Sequence, residues 1–595
     1  MKPWRNKGLI LAGAALAAIA IPALSQETPE SILPPGFNDP ETLPPPVQTP
    51  PPAPPRAPVA PVAAPTDTVI TDAAEEDLAA IAAAQPRRQP GAFDLPDDAR
   101  RDPSVVGVIG PADWGLAPDA FGAANGRFLS SLMRRMDAPL PSRWASILLR
   151  RALISRTAAP GAVQPVDWVA ERAWLLLRMG EADAARMLVQ QVDVDLYTPK
   201  MMEVAAQTAL ATADPAALCP LVEPGKAMSS ERIWPLADAM CAALAGEPAR
   251  ASSLVDQARG KSGNADFDLL LAEKIVGAGS DTRRAVNLQW DGVDGLNAWR
   301  FGMAAAAGVD IPGALMDRAS PHIWAWQARA PMIPLDRRVA AAHVAASLGV
   351  FSSSALVEMH SLLADRMDPS ERGGTIAERL GRAYAGGFDE RLAALNDLWD
   401  DEGSAAERHA RLIMTAGAAA RIAPSAEREA ASGRIVAAML AAGMDRRAAR
   451  WLPVSRGFDE ESGLLAWSLL AVGAPDGGAA DRGRLNDAID ANESRGRLLI
   501  AALAGLGRLD MNAASDLASD YGFALDERNL WTDALDRAVS RRQAGAVAIL
   551  AAAGMQTGDW RGVPPQHLYR ITRALHAVGL DFEARMIAAE ALYRV

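Results

Sequence analysis

Ala173-Trp174-Leu175-Leu176-Leu177-Arg178-Met179-Gly180-Glu181-Ala182-Asp183-Ala184-Ala185-Arg186-Met187-Leu188 decides the fold of this chain. An apolar run ends at a glycine, a few residues intervene, and an alanine-bearing run begins. Glycine suits the left-handed position that closes a helix. Alanine early in the following helix lets two helix axes approach closely. The same order of residues returns at Ala245-Gly246 to Ala249, Ala442-Gly443 to Ala448, Leu506-Gly507 to Ala513 and Val578-Gly579 to Ala584. Each instance reads as a helical hairpin. The spacing is uneven: 66 residues separate Gly180 from Gly246 and 64 separate Gly443 from Gly507, so no strict 34-residue register runs through the chain. The expected fold is all-α, an α-solenoid of degenerate helical hairpins over residues 119–595.

The flanking sequence agrees. In Ser142-Arg143-Trp144 and onward, Trp144, Ile147, Leu148 and Ala152 share one helical face. Val166-Asp167-Trp168 opens the helix that ends at Gly180, with Asp167 as the expected N-cap. Half the residues are hydrophobic, yet only 5% are aromatic, and Ala and Leu supply much of the apolar content. Such a composition favours helix, and β-branched runs are sparse after residue 110.

The segment Val166–Val189 resembles a tetratricopeptide repeat, through Ala173-Trp174 to Gly180 and Ala184-Ala185 to Leu188. It lacks the family's full set of small and aromatic positions. More broadly, the chain resembles exported α-helical-repeat proteins of alphaproteobacteria. The likeness is carried by Cys219 and Cys241, by Trp324-Ala325-Trp326 to Pro331, and by Pro564-Pro565-Gln566-His567-Leu568-Tyr569 with Gly579 to Arg585. It implies an envelope location and no particular chemistry.

The amino terminus points the same way. Lys2, Arg5 and Lys7 precede an apolar run from Leu9 to Ile21, and Ala23 and Ser25 are small. Charge, a short apolar core and a small-x-small site are what an export signal requires. Residues 1–25 are therefore expected to be a signal peptide cleaved after Ser25, and a retained inner-membrane anchor is the alternative. Pro34 to Pro65 contains 14 prolines in 32 residues, so residues 26–118 are expected to form a disordered, proline-rich linker. With the signal retained, that linker becomes a stalk.

In a periplasm, the lone pair Cys219 and Cys241, 22 positions apart, is expected to form a disulfide. No CxxC spacing or basic neighbour suggests redox chemistry. The net charge is −12, about −15 once Lys2, Arg5 and Lys7 are removed, which disfavours nucleic acid and anionic lipid. The arginine pairs Arg134-Arg135, Arg150-Arg151, Arg337-Arg338 and Arg446-Arg447 are interspersed with acids and read as exposed, ion-paired faces.

Motifs for catalysis are sparse. The six histidines, His322, His343, His360, His409, His567 and His576, have no metal-ligand spacing and read as surface or partly packed side chains. Gly260-Lys261-Ser262 has no upstream glycine or strand for a phosphate loop, and there is no GxSxG elbow. Glu460-Glu461-Ser462-Gly463 resembles the Glu-Ser context of soluble lytic transglycosylases, helical periplasmic enzymes with a catalytic glutamate. The family's downstream Gly-Leu-Met-Gln segment is absent, and Leu464 to Trp467 continue an ordinary helix. Glu460 and Glu461 then read as first-turn acids. Trp144, Trp168, Trp174, Trp234, Trp324 and Trp326 read as core, with an aromatic sugar or peptide site as the alternative. The acidic helix end Asp397 to Glu402 reads as a solvated terminus, or else a docking edge.

These readings predict a non-catalytic periplasmic scaffold without cofactor or metal. Its expected partner is an envelope protein or peptide, or cell-wall glycan. A cell-wall-active enzyme of lytic-transglycosylase type is the alternative.

Overall fold

A computed structural model describes residues 99–595 apart from 263–265, 280–285 and 287. The expected signal peptide and residues 26–98 of the expected linker lie outside the described residues. The described chain is all-helical in character, with one two-stranded antiparallel pair, Val105–Val106 against Thr157–Ala158. Residues 99–118, expected to belong to the linker, carry part of this pair and pack against the helices. Val106 and Leu116 are buried, and the wholly buried guanidinium of Arg172 donates to the carbonyls of Val106 at 3.1 Å, Leu153 at 2.7 Å and Ser155 at 2.8 Å. Two β-branched residues plus this clamp hold a stretch whose prolines and glycines suggested a linker.

Hairpins follow the glycine grammar. Gly180, Gly246, Gly443, Gly507 and Gly579 all have φ between 68° and 88°. At Gly180 the turn joins Pro165–Arg178 to Ala182–Val189, and a Cβ there would come within 2.7 Å of the Ala325 methyl. Left-handed backbone and close packing both demand glycine at that point. The same holds for Gly443, where a Cβ would meet the Trp144 ring at 2.7 Å.

Polar caps set many of the helix starts. Ser142, Thr198, Asn297 and Ser404 accept from backbone amides of the first turn, and Ser404 with Glu407 forms a capping box. Asp167 departs from expectation. The helix opens one turn earlier, with Pro165 at its first position, and Asp167 accepts instead from Thr198 Oγ1 at 2.7 Å. Proline's fixed φ suits a first helical position, so it outcompetes the acid as a start signal.

The buried apolar side chains form one contiguous core. Trp168, Trp174, Trp234 and Trp326 are almost wholly buried and Trp144 nearly so, while half-buried Trp324 donates to the Met316 carbonyl at 3.0 Å. Contacts run between chain neighbours, as in Glu429–Ala441 against Glu461–Gly473. They also run between distant segments: Arg143–Ile154 packs against Ala544–Ala553 and the last helix, Asp581–Arg594. No helix among the described residues is long and apolar enough to cross a membrane.

Candidate functional site

The helix Gly126–Arg135 lines a cleft on each of two sides. Its start is fixed by Asn125, whose side chain accepts from Phe128 N at 3.1 Å. Gly126 N donates to the Gly161 carbonyl at 2.7 Å, and a Cβ on Gly126 would meet Val163 at 2.3 Å. Its end is held by Arg178, which donates to the carbonyls of Met133 and Met136. Burial pushes the Arg178 guanidinium down to about 10. Leu129 and Met133 anchor the helix in the core.

On one side, Arg127, Ser130 and Arg134 follow the i, i+3, i+7 line of a single face. They line a polar cleft of about 300 Å³ with Gln164, Asp167, Glu171 and Lys200. Three cations thus meet two carboxylates. The Glu171 side chain is 1% exposed, with Lys200 Nζ at 2.7 Å and Arg134 Nε at 3.2 Å from Oε1. The Arg134 approach lacks hydrogen-bond geometry. On the other side, Asn125, Phe128 and Leu129 line an apolar cleft of about 280 Å³ with Ala534, Arg537, Ala538, Arg541, Gln543, Ala546 and Leu550. Phe128 is 47% exposed. Arg537 and Arg541, one turn apart, form no ion pair among the described residues.

The residues singled out from the sequence lie elsewhere. Cys219, in the 3₁₀ turn Pro215–Leu221, and Cys241, in the helix Ile233–Leu244, stand with their sulfurs 2.05 Å apart, at disulfide distance. Glu460 and Glu461 are exposed at the start of Glu461–Gly473 and line neither cleft. Gly260-Lys261-Ser262 ends the helix Pro248–Ser262. The acidic end Asp397 to Glu402 is clamped by arginines of neighbouring helices, with Arg379 Nη2 donating to Asp401 at 2.8 Å and Arg411 Nη2 to the Glu402 carbonyl at 2.8 Å.

Four histidines depart from the expected surface position. His322, His343, His360 and His409 are all buried. His343 Nε2 and His360 Nε2 lie 2.8 Å apart, and His409 contacts Ser347 Oγ and the Tyr593 hydroxyl at 3.1 Å each. Burial holds His322 and His360 down to about 3 and lowers His343 and His409 as well. Among the described residues, no group of three or more His, Cys, Asp or Glu is placed to hold a metal.

Of the arginine pairs, Arg446-Arg447 is exposed, as are Arg135 and Arg337, whereas Arg134, Arg150, Arg151 and Arg338 are half-buried. Arg150 Nη1 reaches Glu181 at 2.6 Å, Arg151 pairs with buried Glu583, and Arg134 enters the polar cleft. Desolvation raises the Glu181 carboxyl despite Arg150. No family model matches this chain. Neither a curated protein nor a solved structure matches it.

Sequence reasoning missed both clefts. A signal existed for one of them: Glu171 and Arg172 interrupt a helical face built from Trp168, Trp174 and Leu175, where a charge must be paired to be buried. For the apolar cleft the two walls are some four hundred residues apart, and nothing local joins them.

Proposed function

We propose that this chain is an exported, non-catalytic helical-repeat scaffold that engages an envelope protein through the apolar cleft beside Gly126–Arg135. The observation that carries the reading is a half-exposed Phe128 over an alanine-walled trough with two arginines that lack ion-pair partners among the described residues. An apolar side chain flanked by Asp or Glu on a partner would fill the trough and pair with Arg537 and Arg541. Leu530, 88% exposed, lies on the same i, i+4, i+8 line as Ala534 and Ala538 and extends the apolar strip. Hairpin repeats suit this role, because their stacked helices present side chains at fixed positions without a cofactor.

The test is site-specific crosslinking in the native envelope, from a photoreactive residue at position 128. The expected result is an envelope protein captured by the wild-type trough and lost in an Arg537→Glu/Arg541→Glu double variant. Capture that persists in the double variant, or an absence of any envelope adduct, overturns the reading. N-terminal sequencing of the mature chain distinguishes a start at Gln26 from a retained Met1.

A further inference from the structure

The polar cleft on the opposite side of the same helix carries demands that its own residues do not meet. Among the described residues, buried Glu171 Oε2 has no donor, and Ser130 Oγ, on a residue 3% exposed, has no hydrogen-bond partner. A buried carboxylate oxygen without a donor costs free energy that a bound ammonium or hydroxyl recovers. The cleft also has the opposite need. Arg127 is exposed and has no ion-pair partner among the described residues. The helix Pro165–Arg178 starts at Gln164, which lines the cleft, with no side chain capping its first-turn amides. The first turn of that helix also carries Asp167, which lines the cleft, so it is the free guanidinium of Arg127 that favours an anion.

We propose that this cleft binds a small amino-acid zwitterion, either a free amino acid or a dipeptide. Its ammonium is received by Glu171 and Ser130, and its carboxylate by Arg127, on the side of the cleft away from Asp167. A lone anion leaves Glu171 Oε2 unmet, and a lone cation leaves Arg127 unmet. One molecule bearing both charges satisfies the two sets at once. A volume of about 300 Å³ admits a ligand of that size. Ala162 and Val163 supply a small apolar wall for its side chain. The inference goes beyond the scaffold reading and uses different residues.

Isothermal titration of the full chain tests it, with the common L-amino acids and L-alanyl-L-alanine as probes. N-acetyl-L-alanine, L-alanine amide and inorganic phosphate serve as controls. We expect at least one zwitterion to bind, and roughly tenfold or greater weakening when its amine or carboxylate is blocked. Arg127→Gln and Glu171→Gln should weaken binding by a similar factor. Arg127 is exposed, so its variant keeps the test valid should Glu171→Gln unfold. Tighter binding of the dipeptide than of free amino acids assigns a peptide source, and the reverse assigns a metabolite. No binding of any zwitterion, binding that survives both blocking groups, or binding of phosphate alone overturns the proposal. The titration contains no partner protein, so its outcome is separate from that of the crosslinking.

Discussion

His322 shows how a single side chain ties this fold to pH. It is 4% exposed, neither ring nitrogen has a hydrogen-bond partner among the described residues, and its ring lies 4.9 Å from that of Trp326. Burial, with a smaller contribution from Arg178, holds it down to about 3. In the unfolded chain a histidine takes its proton near pH 6.5. The folded state therefore binds fewer protons than the unfolded state between these values. The contribution of neutral His322 is complete above about pH 6.5 and is lost progressively as pH falls towards about 3. Within that window the loss approaches about 1.4 kcal/mol per pH unit. His322→Leu should flatten the acid limb by that increment relative to the parent, because His343, His360 and His409 shift in the same direction in both proteins. Urea midpoints at pH 7.5 and pH 5 measure it, and parallel shifts in parent and variant would count against the assignment.

At the scale of elements, the hairpin containing Cys219 and Cys241 is the clearest case. The crosslink spans 22 residues and ties the Pro215–Leu221 turn to Ile233–Leu244. Closing such a loop stabilises the fold by about 3 kcal/mol through the unfolded chain. The Cys219→Ser/Cys241→Ser double variant should lose up to that amount, read as a lower urea midpoint that reductant no longer changes. Two alkylatable thiols in the native protein would refute the bond. This element was legible because its signal is local in chemistry: two lone cysteines 22 positions apart. The glycine turns were legible for the same reason, since a left-handed backbone selects its residue directly. Asp167 misled because two start signals stood side by side and Pro165 won. The strand at Val105–Val106 was hidden because its partner at Thr157–Ala158 lies fifty residues on and its clamp, Arg172, further still. The polar cleft falls between these cases. Glu171 was visible as a charge in an apolar stripe, but its convergence with Ser130 and Lys200 needs three helices packed together.

Across the whole described body, the decisive contacts join segments that sequence periodicity treats as unrelated. Glu590 in the last helix is wholly buried and accepts from Ser142 Oγ at 2.6 Å, Arg143 N at 2.9 Å and Trp144 N at 3.0 Å. A carboxylate more than four hundred residues away thus caps the helix Arg143–Ile154. Arg594 donates to Glu590 at 3.0 Å and to the Pro141 carbonyl at 2.6 Å, while Arg143 reaches the carbonyls of Ala346, Phe351 and Ala441. Burial holds the Arg143 guanidinium down to about 10, and the carbonyls around it satisfy its donors. Where repeats touch only their neighbours, removing the last one costs a single interface. Here, removing residues 581–595 strips the cap from the distant helix Arg143–Ile154 and removes the carboxylate that accepts from the Arg143 and Trp144 amides. Glu590→Ala alone should cost about 3–5 kcal/mol, because it leaves buried donors uncompensated. Amide exchange measured by mass spectrometry localises the effect. Both the truncation and Glu590→Ala should lower protection across Arg143–Ile154 as strongly as in Pro565–Ala577, the sequence neighbour of the last helix. If only the 565–577 segment loosens, the two ends of the body are energetically separate and the coupling assigned to Glu590 is wrong.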